Sequence, residues 1–221
     1  AAGETINEKE PCLNRECARL NLWPLIQEGR ETHPILYETA ARLIRTFYDP
    51  LNPGKKRFEY HLLNLLLASA KQTVQNEGTC ALEKVLLPDP DMQKIYYKML
   101  KGTKKWDLRN SLGYPPLTEY VKVDRSDTKI CVFHAHPDLL TVLFNPKLAW
   151  KLYDEIHRQD GPVLTQTLVE RIASETHTFA IDPELFRYLQ LTNYLDHKDH
   201  KMTFVADVGE VSLRKKLTIH Q

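Results

Sequence analysis

Residues 58–74 read FEYHLLNLLLASAKQTV, and no other stretch does more to limit what the chain can become. Phe58, Leu62, Leu65, Leu66, Ser69 and Thr73 recur at helical spacing and form one broad face, with Leu63 and Leu67 apolar beside it. The pattern predicts a helix over 55–76, with Asn52 as its cap, Pro53 in its first turn and Gly78 closing it. A helix this rich in leucine must be surrounded by other elements, so it is expected at the centre of the core.

Its neighbours carry their own start and stop signals. Thr32 and Pro34 open a helix in which Leu36, Ala40, Leu43 and Phe47 share a face, and Asp49-Pro50 ends it. Asp89-Pro90 opens another, with Met92, Ile95, Tyr96, Met99 and Leu100 apolar and Gly102 at its end. The segment TKKWDLRNSLG reads as a further short helix stopped by Gly113. Further helices are expected over 146–158, 162–174 and 183–195.

Strand signals lie downstream of Tyr114-Pro115-Pro116. Residues 117–123 and 129–133 flank the polar segment 124–127 and read as a hairpin, the second run being apolar on both faces. Residues 202–206 and 211–219 form a second hairpin pattern, in which Lys215 alone breaks the apolar series. The fold class is therefore α+β: a helical N-terminal part, then helices packed on a small, mostly antiparallel sheet with a C-terminal β-hairpin. The organisation along the chain is a polar arm at 1–31 with a short docked piece around Leu20–Ile26, a helical part at 32–112, and an α+β part at 113–221, the last two able to form one domain.

The composition, 42% hydrophobic and 27% charged, places the chain among ordinary folded proteins. No apolar run approaches the roughly 18–20 residues a membrane span needs. The chain begins Ala-Ala-Gly rather than Met, which suggests a processed or truncated N-terminus. Four cysteines, Cys12, Cys17, Cys80 and Cys131, match no zinc-site spacing, and the expected compartment is intracellular or organellar; a Cys12–Cys17 disulfide in a secreted chain is the alternative. The chain has no P-loop, dinucleotide fingerprint, His-Glu-x-x-His or nucleophile-elbow motif.

A net charge of +1 conceals an uneven distribution, with 13 basic and 8 acidic residues over 32–112 against 8 and 12 over 113–196. On a helix, Lys94, Lys98 and Lys101 fall within about 60° of one another. Lys104, Lys105 and Arg109 extend the basic character past Gly102, with Trp106 among them. A basic stripe with an aromatic nearby suits an acidic protein surface or a nucleic-acid backbone. The leading expectation is thus a non-enzymatic interaction or scaffold module, possessing no cofactor and suited to a place in a larger assembly.

Two alternatives compete with it. In CVFHAHPDLL, His134 and His136 would project to one side if the strand continued, and Asp138 could join them as a metal ligand or orient a ring. Residues 132–137 resemble the His-x-His-Pro corner of the zinc-dependent JAMM isopeptidases, which also follows a strand. That resemblance implies a zinc hydrolase centred on His134 and His136, although Phe144 and Lys147 stand where the family has Ser and Asp. The third reading takes helix, helix and hairpin in the C-terminal third as winged-helix-like, with Arg187 on the recognition helix and Lys198, Lys201, Arg214, Lys215 and Lys216 on the wing.

Overall fold

The computed structural model describes residues 16–125, 129–157, 164–177 and 181–191, together with the backbone of strands 202–208 and 211–217. Cys12, Lys198 and Lys201 lie outside the described residues, as do the side chains of Arg214, Lys215 and Lys216. The chain divides into two compact units, one through Leu191 and one from Thr192.

The first unit is α+β and mainly helical. Its helices are α1 (Trp23–Glu28), α2 (Pro34–Tyr48), α3 (Phe58–Glu77), α4 (Pro90–Lys101), α5 (Pro137–Leu143), α6 (Pro146–Ile156) and α7 (Gln166–Glu175). No described helix is long and apolar enough to cross a membrane. Leu20, Leu22, Leu25 and Ile26 from the N-terminal segment join α2, α3 and the segments after Tyr114 in one buried cluster.

Helix α3 begins at Phe58 rather than near Lys55, because Asn52 Oδ1 accepts the Gly54 N–H in a local turn and Arg57 takes a left-handed conformation (φ 59°). Its buried face is Phe58, Leu62, Leu63, Leu66, Ala70 and Val74, a stripe at spacings near four, while Leu65, Ser69 and Thr73 are half-buried. Gly78 closes it at φ 74° as expected. Helix α2 buries Leu36, Ala40, Leu43 and Phe47, and the Tyr37 hydroxyl donates to Asn64 Oδ1 at 2.8 Å to tie it to α3. Arg42 Nη1 donates to the Val142 carbonyl at 3.0 Å, linking α2 to α5.

The sheet is where expectation and structure part. In this unit the strands pair in parallel, not antiparallel: β1 (Leu20–Asn21) with β2 (Val121–Lys122), and β3 (Ile130–Cys131) with β4 (Leu189–Gln190). The hairpin expected between 117–123 and 129–133 does not form. Buried Asn21 takes the turn's backbone groups instead, its Nδ2 donating to the Asp124 carbonyl at 2.6 Å and its Oδ1 accepting the Asp124 N–H at 3.1 Å. Leu20 and Leu22 N–H groups donate to the carbonyls of Tyr120 and Lys122, which occupies one edge of β2.

Two expected helices are also replaced. Residues 102–116 form a hook closed by an antiparallel bridge between Asp107 and Leu112. Pro183–Tyr188 is a 3₁₀ helix that runs straight into β4, so among the described residues no α-helical recognition element follows α7. The second unit contains the expected C-terminal hairpin, β5 (Met202–Val208) and β6 (Val211–Leu217), paired antiparallel with Met202 opposite Leu217.

Candidate functional site

Helix α4 is positioned by local chemistry at both ends. Asp89 Oδ1 accepts the N–H groups of Asp91 (2.9 Å) and Met92 (3.1 Å), satisfying two donors that the first turn leaves open. Those bonds, Met92 first, hold the Asp89 carboxyl below the usual carboxylate range. A depressed native pKa stabilises the fold above the unfolded value of about 4, and the contribution fades as pH falls through the native value. Asp89→Ala should therefore lower the melting temperature at neutral pH, and the gap to the parent protein should narrow as pH falls below about 4. A gap of constant size across that range would show that the carboxylate charge plays no part.

The inner side of α4 is anchored by buried Met92, Tyr96 and Met99, with the Tyr96 hydroxyl donating to the Leu82 carbonyl at 2.7 Å. Lys94, Lys98 and Lys101 are consequently exposed on the outer side. Lys94 reaches Asp91 at 3.6 Å, an exposed pair of small energetic weight. Tyr97, which the sequence pattern did not single out, is 50% exposed and joins this face. By helical geometry it lies about 40° from Lys101 and about 60° from Lys94, so the same periodicity that grouped the lysines could have found it.

Past Gly102 the chain enters the hook. The Thr103 N–H donates to the Tyr114 carbonyl at 2.9 Å, and Thr103 Oγ1 accepts the Tyr114 N–H at the same distance. At the far end the Asp107 carboxylate accepts Asn110 Nδ2 (2.7 Å) and the N–H groups of Arg109 (3.0 Å) and Asn110 (3.2 Å). The Asn110 amide is the chief reason its carboxyl is held low. Lys104 and Lys105 are exposed on this hook beside the end of α4.

Two other members of the expected patch do something else. Trp106 is half-buried beside the Tyr120 hydroxyl. The Arg109 guanidinium lies 3.4 Å above the Trp150 ring of α6, a cation–π contact that ties the hook to that helix. The exposed aromatic beside the α4 lysines is Tyr97 rather than Trp106.

The histidine corner is rearranged more deeply. β3 ends at Cys131, and Val132–His134 is a 3₁₀ turn, so the two rings do not follow strand alternation. His136 is the N-cap of α5: its Nδ1 accepts the Asp138 N–H at 3.2 Å and lies 3.2 Å from Asp138 Oδ2. Its ring also meets Tyr120 edge-on at 6.1 Å. Among the described residues the donors that converge are not His134, His136 and Asp138 but Cys17, Cys131 and His134. Sequence reasoning missed Cys17 because it lies in the opposite half of the chain.

A cavity of about 450 Å³ opens between α2 and the α5–α6 junction. Its charged lining groups are Glu38, Arg42 and Asp182. No known family, curated protein or solved structure matches the chain.

Proposed function

We propose that the chain is a non-enzymatic binding module that docks a polyanion, an acidic protein segment or a nucleic-acid backbone, on the outer face of α4. The observation that supports this reading is the grouping of exposed Lys94, Lys98 and Lys101 beside half-exposed Tyr97, continued by Lys104 and Lys105 on the hook. The α4 lysines span about 10 Å along the helix at 1.5 Å per residue, enough to meet more than one negative group of an extended partner. A phosphate backbone would release counterions on such a face, and Tyr97 would give a base a ring to stack on.

Lys94→Glu with Lys98→Glu should abolish retention on immobilised heparin and leave the circular dichroism spectrum unchanged. The same charge change at exposed Lys71 and Lys147 should weaken retention far less. Tyr97→Ala separates the two kinds of partner. It should weaken a single-stranded oligonucleotide roughly tenfold, as loss of one stacked base does, and leave an acidic peptide unaffected. Unchanged retention of the double variant on heparin, oligonucleotide and acidic peptide alike would sink the proposal.

A further inference from the structure

Cys17 sits in the 3₁₀ turn Glu16–Ala18, which packs against β3 and the turn Val132–His134. This brings the sulfurs of Cys17 and Cys131 and a ring nitrogen of His134 within 4.8 Å of one another. Cys131 is buried, and Cys17 and His134 are half-buried. Both thiols are free.

Three metal-ligating side chains from two distant segments thus converge in a largely buried spot, an arrangement suited to a cation.

The donor set names that cation. Two thiolates and one imidazole are soft to borderline ligands that favour zinc over magnesium or calcium. With Zn–S near 2.3 Å and Zn–N near 2.0 Å, tetrahedral donors lie about 3.5–3.8 Å apart, so the cluster needs to contract by only about 1 Å, within reach of side-chain rotation. We propose that Cys17, Cys131 and His134 bind a thiophilic divalent ion, zinc, with one coordination position left to solvent. The ion would clamp the 16–18 turn onto the 131–134 turn. Since Cys131 must give up its proton to coordinate, binding releases protons to solvent and tightens as pH rises.

The test uses the full chain, purified under reducing conditions and then loaded with zinc or with cobalt as an optical substitute. About one metal per chain is expected, with a thiolate-to-cobalt charge-transfer band in the near ultraviolet. Cys17→Ser and His134→Gln, at half-buried positions, should each lose the metal while keeping the helical circular dichroism, and Cys80→Ser should keep both. A chelator should lower the melting temperature of the parent protein and leave Cys17→Ser unmoved. If either variant fails to fold, the cobalt spectrum of the parent decides alone. Folded, reduced protein that takes up neither metal, zinc retained in both folded variants, or a Cys17–Cys131 disulfide that persists in reductant would each overturn the proposal.

Discussion

Phe47→Ala should destabilise the first unit by about 3–5 kcal/mol, the range for removing a buried ring whose surroundings relax only in part. Phe47 is fully buried near the end of α2. Its ring meets Tyr120 edge-on at 4.7 Å and Tyr48 at 6.2 Å, and Tyr48 in turn meets Tyr114 at 5.8 Å. These rings join α2 to the 114–120 segment, and the Tyr48 hydroxyl fixes the joint by donating to the Pro115 carbonyl at 3.1 Å. The same Tyr120 meets His136 edge-on, so removing Phe47 loosens a ring that also packs against the α5 corner. Against a typical total stability of about 5–15 kcal/mol, the loss is a large fraction. In urea the midpoint should fall sharply with little change in slope, and Phe47→Leu should recover more than half of the loss. A cost below about 1 kcal/mol would mean that this aromatic joint does not organise the core.

That joint also marks where the sequence was readable and where it was not. Helices α2, α4 and α6 were legible because each carries its own opening signal, a proline in the first turn, and an apolar series that repeats within a few residues. Gly102 and Gly78 were legible as helix ends for the same local reason. The parallel pairs were not. Strands of two residues have no periodicity to detect, and the contact that fixes β1 on β2 runs through Asn21 and Asp124, 103 residues apart. Nearness in sequence favoured a hairpin over 117–133, and a buried amide in the N-terminal segment outcompeted it. The helix expected from residue 183 failed over 183–190 in another way, since Leu185 and Tyr188 share a helical face while Leu189 is held opposite Ile130 in β4. For the site, the lysine face was legible from spacing alone. The meeting of Cys17 with Cys131 and His134 was not, because it depends on the same N-terminal packing that hid the strands.

The other large effect is expected at Gly102, where α4 turns into the hook. Gly102 has φ 63° and ψ −176°, a conformation in which side-chain-bearing residues are strained by roughly 1–3 kcal/mol. A Cβ there would also lie 2.5 Å from Pro116 N and 2.7 Å from Pro116 Cδ, backbone and ring atoms with no free rotation to yield. Gly78 supplies the comparison, since its φ of 74° is similar but nothing lies within 4 Å of where its Cβ would sit. Gly78→Ala should therefore cost about 1 kcal/mol, the conformational penalty alone. Gly102→Ala should cost about 3 kcal/mol or more, the excess reporting the clash together with the less favourable ψ at Gly102. Equal losses at the two positions would refute the close approach to Pro116. Gly113, at φ 61°, holds the other end of the hook against Thr103 and Lys105 in the same way. Forcing the hook open at Gly102 displaces Lys104 and Lys105 from the end of α4 but leaves Lys94, Lys98 and Tyr97 on the helix. If the polyanion spans both, Gly102→Ala measured below its melting temperature should elute from heparin at a lower salt concentration than the parent protein, and still above the Lys94→Glu, Lys98→Glu variant.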